Sequence, residues 1–535
     1  MSKRTFRARA ALLLACGFAA GCSQQQGGAA SGSSGQGATL RIAVQQDAKT
    51  LNPILASNTV DGFIDRFMFE PLVSADAQGR PVPMLASPVP SSENGGISAD
   101  GLTVTYHLRP GANWSDGKPV SSQDVKFSWQ AIMNPSNNAV SRHGYDDIAR
   151  IDTPNEKTAV VHLKKPFAPF VNTFFAESDQ PYTIVPAHAL AKYPNINQVP
   201  FNSSPDVTDG PFKLERWVHG DRLVFAANDA FFMGKPRLRR IEVRVVPDES
   251  TSVNLLRTHA IDYMYQASVA TYPELKQVPG TRIVWNNVNG YEGMALNMRR
   301  KPLDDLRVRR AIAYAIDKPQ LVRTLTYGQE KIATGDLPDW LWAFNPAVKS
   351  YPYDPGKARS LLRQAGVKTP LNLVIVTESA NVTHKRTAVQ LQAMLHAIGI
   401  NAEVKTYPGD LLYAPAGAGG IVNGGNFDIT IWPWYSGIDP DNSSQFTCAN
   451  IPPNGYNEAR YCNPEMEALQ TRALSTSNRA ARTQAYHGIE ALLARDVPIV
   501  VFWWQRQQEA VSTRFTGFAP NPTVESWNAW QWDVK

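Results

Sequence analysis

Long hydrophobic runs are almost absent from this chain of 535 residues. A membrane-spanning helix needs about 20 consecutive apolar residues, whereas the apolar run from Ala10 to Ala20 has only eleven. That run follows four cations without any acid, namely Lys3, Arg4, Arg7 and Arg9. A positively charged segment followed by a short apolar run is typical of a secretory signal peptide. We therefore predict a signal peptide over residues 1–21.

The apolar run ends at Ala19-Ala20-Gly21-Cys22, which resembles the lipobox of bacterial lipoproteins, where the cysteine is lipidated and becomes the first mature residue. Ala19 stands where the lipobox usually has leucine, and an ordinary signal peptide that ends in small residues is the alternative. Residues 22–38 are rich in Gly, Ser, Gln and Ala and lack core-forming side chains. We therefore predict a lipid anchor on Cys22 and a flexible, membrane-tethered leash over 22–38.

Cysteine is scarce in the remainder of the chain. Two of the four cysteines, Cys16 and Cys22, lie in the signal region, which leaves Cys448 and Cys462 for the folded part. No histidine lies between these two cysteines or within twenty residues of them, and this argues against a zinc site. In an exported chain the pair predicts a disulfide, whose loop closure would stabilise the fold by roughly 3 kcal/mol.

Excess charge and catalytic motifs are lacking as well. Four of the six net positive charges belong to the signal segment, so the remainder is too weakly charged for a nucleic-acid-binding surface. The nine histidines are scattered, and the usual phosphate-binding, dinucleotide-binding and nucleophile-elbow motifs do not occur. We therefore expect neither an enzyme nor a resident metal or cofactor.

Alternating strand and helix patterns fill the remaining sequence. Residues 102–109 alternate apolar and polar side chains as a half-buried strand does, and a capping box at Ser121 and Asp124 opens a helix. Apolar spacing predicts one amphipathic helix over 305–323. Residues 371–377, 383–398 and 402–407 predict a βαβ unit, and 212–217 with 222–226 a hairpin. The length and these patterns predict a mixed α/β protein of about three domains.

Several segments, in order along the chain, resemble family 5 of the extracellular solute-binding proteins, the dipeptide- and oligopeptide-binding components of bacterial ATP-binding-cassette (ABC) importers. They are LNP at 51–53, FEPLV at 69–73, PMLA at 83–86, LTVTYHLRPGANWSDGKPVSSQDV at 102–125, DGPF at 209–212, DDLRVRRAIAYAID at 304–317 and YDP at 353–355. The resemblance implies a two-lobe flytrap that closes on its ligand, with an extra domain inserted in the first lobe. We place lobe I at residues 39–68, 205–285 and 508–535, domain II at 69–204 and lobe III at 286–507.

The resemblance also places the ligand cleft where the strand 427–431 ends, before an Asp-Pro turn. The candidate ligand-binding residues are Trp432, Trp434, Tyr435, Ser436, Asp439 and Asp441, with Tyr265 and Asn297 as weaker candidates. In peptide-binding members an aspartate shortly before the Asp-Pro element pairs with the amino terminus of the ligand, but this chain has Ser436 there. Either Asp439 or Asp441 replaces it, or the ligand presents no free amine. Core packing is the alternative role for the tryptophans.

As a function, the resemblance implies a monomeric receptor that captures peptides in the periplasm or at the cell surface and delivers them to an ABC permease. The family also contains binders of oligosaccharides, metal chelates and haem, so a non-peptide solute is an alternative ligand. A lipoprotein of the same fold that serves sensing or adhesion, without a permease, is a second alternative. A secreted hydrolase is disfavoured because its nucleophile motifs are missing.

Overall fold

The computed structural model describes residues 38–178 and 180–535. The predicted signal peptide, the lipidation site Cys22 and all of the leash except Ala38 lie outside the described residues. Within residues 38–178 and 180–535, no helix combines the length and the apolar composition needed to cross a bilayer.

Strands and helices alternate along most of the described chain. The strands are β1 (Thr39–Val44), β2 (Val73–Ala75), β3 (Pro81–Pro83), β4 (Thr103–His107), β5 (Ile148–Asn155), β6 (Thr158–Leu163), β7 (Phe212–Val218), β8 (Arg222–Ala227), β9 (Arg240–Val245), β10 (Tyr263–Ala267), β11 (Thr281–Leu296), β12 (Lys331–Ile332), β13 (Leu371–Glu378), β14 (Ile400–Tyr407), β15 (Ile429–Tyr435), β16 (Ile499–Ser512), β17 (Phe515–Thr516) and β18 (Asp533–Val534).

The helices vary from single turns to eighteen residues. They are α1 (Thr59–Met68), α2 (Ser122–Met133), α3 (Phe170–Thr173), α4 (Ala187–Leu190), α5 (Glu249–Arg257), α6 (Tyr272–Leu275), α7 (Leu306–Ala315), α8 (Lys318–Leu325), α9 (Pro355–Gln364), α10 (Val382–His396), α11 (Gly409–Leu412), α12 (Ser443–Phe446), α13 (Pro464–Leu474) and α14 (Arg479–Asp496). Short 3-10 helices lie at Pro200–Asn202, Val269–Thr271, Ala416–Ala418, Cys448–Asn450 and Ala529–Gln531.

One mixed sheet contains eleven of the strands, from β1 near the start of the described chain to β16 near its end. Its order is β14-β13-β15-β11-β16-β10-β1-β9-β8-β7, with β12 paired to β16. β1 is parallel to β9 and β10, and β13 is parallel to β14 and β15, whereas the long strands β11 and β16 are antiparallel to each other. Each half of the sheet therefore has its own parallel core, and the two halves are joined by β11 and β16.

Different hydrophobic clusters cover the two halves. One large cluster joins residues between 40 and 265 with residues 511–532, and so unites β1, α1 and the three-stranded sheet β4-β6-β5. Two further clusters flank the other half: one packs α7, α8 and α10 on the sheet, and the other packs α13 and α14 on it. These features are the predicted mixed α/β fold with two lobes.

The local predictions hold except at one helix. The hairpin is formed by β7 and β8, the βαβ unit by β13, α10 and β14, and the capping box of α2 has both of its hydrogen bonds. The predicted single helix over 305–323 is wrong, because it consists of α7 and α8. Asp317 caps the second helix by accepting from the Gln320 amide, and Pro319 occupies its first turn. A cap followed by a proline starts a new helix.

Candidate functional site

The candidate site lies at the carboxyl ends of the parallel strands in the second half of the sheet. β13 and β14 run in register to the pair Glu378 and Tyr407, and β15 ends nearby at Tyr435, opposite Gly290 of β11. Open α/β sheets bind ligands outside the carboxyl ends of their strands. This edge is therefore where the fold favours a ligand.

The two tryptophans of β15 differ in their surroundings. Trp432 is buried in the third hydrophobic cluster, with its ring centroid 6.1 Å from that of Tyr291. Trp434 is half-buried, packs against Tyr456 and donates from Nε1 to the Ser436 hydroxyl at 3.2 Å. The structure thus places Trp432 in the core and Trp434 at the border of the site.

Tyr435 and Ser436 lie at the exposed end of β15. The Tyr435 side chain is 51% exposed, although the surrounding protein raises the pKa of its hydroxyl by burial and by the charge of Glu292. The Ser436 amide donates to the Asn289 carbonyl at 2.6 Å, which fixes the end of β15 against β11.

Asp439 forms a buried, bidentate ion pair. Its carboxylate oxygens accept from the Arg482 guanidinium at 2.6 and 2.9 Å, and the side chains of both residues are only 7% exposed. The Arg482 side chain also donates to the Ala473 carbonyl. Because both carboxylate oxygens are bound by Arg482 of α14, this geometry favours a structural role for Asp439. The contact of Asp439 with a ligand amine stays a prediction.

Asp441 lines a pocket together with His143, Asn172 and Thr173. Its Oδ1 accepts from the Ser443 amide at 2.9 Å, and its Oδ2 is 3.5 Å from His143 Nε2. Burial would raise the pKa of Asp441, but the contacts with His143 and Ser443 outweigh burial and hold it below its usual value. Four of the predicted ligand-binding residues line this pocket, namely Trp434, Ser436, Asp439 and Asp441. Its wall also includes His143, Thr173 and Ser178.

Backbone hydrogen bonds join Ile438 and Leu474 to residues 168–177. The Ile438 amide donates to the Glu177 carbonyl at 3.0 Å, and the Ala168 amide donates to the Leu474 carbonyl at 2.8 Å. Gly437 makes this approach possible, since a Cβ atom there would lie 2.7 Å from the Ser178 Cα atom. The described conformation is therefore closed along this edge.

The two weaker candidates lie apart from the others. Tyr265 is 3% exposed, stacks on Phe63 at 4.3 Å and donates to the Thr59 carbonyl, all in the core of the first half. Asn297 is buried just beyond the opposite end of β11 and donates to the carbonyls of Gly425 and Phe427. Neither side chain is brought to the strand end at Tyr435.

Sequence analysis missed a buried polar cluster on the crossing strands. Glu292 of β11 is 3.0 Å from Nε2 of His384 on α10, and Gln505 of β16 donates to the same carboxylate at 3.3 Å. Burial lowers the pKa of His384, but the Glu292 charge outweighs burial and raises it. Glu292 is the one acid in β11 and lies within its buried part, and that is the signal in the sequence that could have revealed it.

A second acid on the crossing region is Glu330, just before β12. Its Oε2 accepts from the Arg506 amide at 3.1 Å and lies 3.7 Å from the Arg506 guanidinium, which stacks on Trp285. Burial nevertheless raises the pKa of Glu330 to about 8. Among the described residues, no group of three His, Cys, Asp or Glu side chains is arranged to hold a metal ion.

Cys448 and Cys462 form the predicted disulfide, which closes the loop between α12 and α13. The Cys448 amide also donates to the Glu467 carboxylate on α13 at 2.8 Å. This loop carries Tyr456, whose ring centroid lies 5.5 Å from that of Trp434.

Comparison with known proteins identifies the fold and the family. The model of bacterial extracellular solute-binding proteins, family 5 middle, matches residues 80–454. The chain belongs to this family. The family consists of solute-binding proteins of ABC transporters, so this chain is a solute-binding protein of an importer and not an enzyme.

Individual relatives are similar over nearly the whole chain. The glutathione-binding protein GsiB of Escherichia coli O1:K1 is 27% identical over 480 residues, which cover 89% of this chain and 91% of that protein. The oligopeptide-binding protein AppA of Bacillus subtilis, solved with a nonapeptide, is 21% identical with a TM-score of 0.78, covering 94% of this chain and 99% of AppA. NikZ of Campylobacter jejuni, solved with Ni(L-His), is 25% identical with a TM-score of 0.77, covering 92% and 99%.

Proposed function

We propose that this solute-binding protein captures peptides outside the cytoplasm and delivers them to an ABC permease. The observation that carries the proposal is an unpaired backbone edge on β15, next to the half-exposed ring of Tyr435. An extended peptide binds such an edge through main-chain hydrogen bonds, while its side chains enter neighbouring pockets.

The unpaired edge follows from the strand register. β13 pairs with β15 only at Ile375–Ile429 and Val376–Thr430, and no other described strand continues that side of β15. Because Ser436 donates to β11, the alternation of the ladder turns the backbone groups of Tyr435 to the opposite side. Pro433 has the same orientation, and proline in a strand is tolerated where no amide partner is needed.

The relatives support a peptide or a peptide-like ligand. GsiB binds glutathione by name, and AppA was solved with a nonapeptide. A non-peptide solute is the second candidate, favoured by Ser436 at the place of the amine-binding aspartate and by the pairing of Asp439 with Arg482. NikZ with Ni(L-His) and AgaA with agropinic acid are neighbours of this kind.

We also propose the lobes and the anchor that the sequence predicts. Lobe I (39–68, 205–285, 508–535) and domain II (69–204) share the first hydrophobic cluster, whereas the second and third clusters lie within lobe III (286–507). The lipobox-like residues before Cys22 support a lipoprotein at the cell surface or in the periplasm. The proposed receptor acts as a monomer. If Cys22→Ser left the protein equally membrane-bound and unchanged in mass, the anchor would be disproved.

The ligand class is tested by native mass spectrometry of the purified protein, followed by thermal shift with peptides of two to nine residues. A peptide ligand at 100 times its dissociation constant should raise the free energy of unfolding by about 2.7 kcal/mol. Copurification of a metal chelate or sugar, with no shift by any peptide, would overturn the peptide proposal and leave the solute-binding family untouched.

A further inference from the structure

A second cavity lies between α14, the start of α8 and the first residues of β16. It shares no lining residue with the pocket at Asp441. Water-sized molecules can enter about 40 Å³ of it, which is room for about three waters or for an ion with part of its hydration shell. Residues 499–501 give it an apolar wall, and its polar lining includes Lys318, Thr334, Asp336 and Glu490.

Two buried carboxylates of this lining are each bound at one oxygen only. Asp336 is 5% exposed, and its Oδ2 accepts from the Asn442 side-chain amide at 2.6 Å. Glu490 of α14 is 1% exposed, and its Oε2 accepts from the Asn345 backbone amide at 2.6 Å. Oδ1 of Asp336 and Oε1 of Glu490 have no hydrogen-bond partner in the part of the chain that the structure describes. Because burying such oxygens is costly, they are suited to a bound cation.

The backbone at Gly335 brings these oxygens to the same part of the cavity wall. A Cβ atom at Gly335 would lie 2.7 Å from Glu490 Oε1, so only glycine allows this close approach. Asp336 follows Gly335 directly, and Thr334 precedes it. The Thr334 hydroxyl is also buried without a hydrogen-bond partner among the described residues. Two carboxylate oxygens and one hydroxyl oxygen are therefore available along one short stretch of wall.

No cationic side chain neutralises the two acids. Within residues 38–178 and 180–535, neither Asp336 nor Glu490 forms an ion pair. Lys318 lines the same cavity, but its Nζ donates to the Ala333 carbonyl at 3.1 Å. Burial lowers the pKa of Lys318 to about 7, so at neutral pH its charge opposes a bound cation only in part. Burial also raises the pKa of Asp336 to about 6 and that of Glu490 to about 9, as expected for carboxylates without a counter-ion.

We infer that this cavity binds a calcium ion through Asp336, Glu490 and Thr334, with water as the remaining ligands. Calcium takes six to eight oxygen ligands in flexible geometry, whereas magnesium demands near-ideal octahedral geometry. Two carboxylates, a hydroxyl and water on an irregular wall therefore suit calcium better. Because the site offers only two acids, we expect weak binding, with a dissociation constant of about 10⁻⁴–10⁻³ M, as in extracellular modules.

The calcium site is one hydrogen bond away from the candidate ligand-binding segment. Asn442, which donates to Asp336, follows Asp441 directly, and Gln470 of α13 donates to the Asn442 side-chain oxygen at 2.7 Å. A bound ion would therefore hold Asp336 in the position that supports Asn442. The inference goes beyond the proposed function and does not depend on it, because the ion is a resident of the fold and not the captured solute.

The test is a titration of the chelator-treated protein with Tb³⁺, a luminescent substitute for Ca²⁺, under tryptophan excitation. Trp504 Nε1 donates to the Gly335 carbonyl at 2.9 Å, so its indole lies beside the site and should sensitise the ion. We expect luminescence that excess Ca²⁺ removes, and Asp336→Asn should weaken Tb³⁺ binding at least about tenfold. Asp339→Asn is the matched control, because Asp339 is an exposed acid of the same segment that pairs with Lys331.

Thermal unfolding with and without Ca²⁺ is the second measurement. Both cavity variants should fold, since the side-chain oxygen in Asp336→Asn can still accept from Asn442, and that in Glu490→Gln from the Asn345 amide. Ca²⁺ should raise the Tm of the wild type and of Asp339→Asn, but not that of either cavity variant.

Two results would overturn the calcium site. Tb³⁺ luminescence and a Tm rise that persist in Asp336→Asn and Glu490→Gln would show an adventitious ion only, bound elsewhere on the protein. Luminescence that Ca²⁺ does not remove, with no rise in Tm, would show that the cavity binds no calcium. Either result leaves the proposed peptide receptor untouched, because neither measurement involves a peptide.

Discussion

Two acids of the same lobe are equally buried and have opposite surroundings. Asp439 and Glu458 are each 7% exposed, but both oxygens of Asp439 are bound by Arg482, whereas Oε2 of Glu458 has no partner among the described residues. A paired buried carboxylate holds elements together, because breaking the pair leaves a charge without compensation. An unpaired one weakens the fold until something binds it. The comparison therefore predicts that the Asp439 carboxylate stabilises the fold and that the Glu458 carboxylate, when ionised, destabilises it.

The largest effect on stability is expected when the ion pair between Arg482 and Asp439 is broken. Arg482→Ala leaves Asp439 buried and unpaired, so the free energy of unfolding should fall by about 3–5 kcal/mol, measured by urea denaturation. Arg479→Ala is the control, because Arg479 lies on the same helix and stacks on Trp342 without an ion pair to Asp439. Unchanged stability combined with lost peptide binding would instead make Asp439 a ligand contact.

The second prediction concerns the loop that carries the unpaired acid. Cys448→Ser with Cys462→Ser opens this loop and should lower the free energy of unfolding by roughly 3 kcal/mol. Denaturation of the wild type with and without reductant provides the control, and free-thiol labelling of the unreduced, denatured protein should find neither cysteine.

The third prediction uses pH to isolate the unpaired acid. The pKa of Glu458 is about 8 in the folded protein, above its unfolded value, so its stabilising contribution is complete at low pH and is lost as pH rises towards 8. Glu458→Gln removes this loss, and its stability curve should diverge from that of the wild type by at most about 1.4 kcal/mol per pH unit. Parallel curves between pH 5 and 9 would show that Glu458 does not titrate in this way.

The smallest effect on stability is expected at Tyr435. Because its ring is half-exposed, Tyr435→Ala should change the free energy of unfolding by no more than about 0.5 kcal/mol, while peptide affinity falls about tenfold. Tyr353→Ala removes a similarly exposed ring far along the chain and should change neither quantity. A large loss of stability in Tyr435→Ala would assign this ring to the core.

Local structure was predictable from sequence where the signal lay within a few residues. The capping box of α2, the hairpin β7–β8 and the βαβ unit all depend on neighbouring side chains. The helix over 305–323 failed because its apolar period continues through the cap at Asp317, and periodicity alone does not register a cap.

The site was predictable only as a place along the chain. The sequence predicted a strand over 427–431, but the strand is Ile429–Tyr435 and includes the aromatic residues that were expected to follow it. The partners of the acids are distant in sequence: Arg482 is 43 positions from Asp439, and His384 meets Glu292 only because α10 packs over the sheet. Such pairings depend on tertiary packing, which a single sequence does not display. The resemblance to the family predicted where along the chain the cleft lies, and the ion pairs near it are known only from the tertiary structure.

The junction between the two halves of the sheet has a mechanical consequence. β11 and β16 pair on both sides of the junction, but their register shifts between Asn287 and Tyr291, so the residues between these two have no partner on β16. Twisting the two strands at this point breaks no hydrogen bond between β11 and β16, while the paired segments on either side keep their shape. We therefore expect the continuous sheet to bend at this point, and hydrogen exchange of the Val288 and Asn289 amides would report that bending.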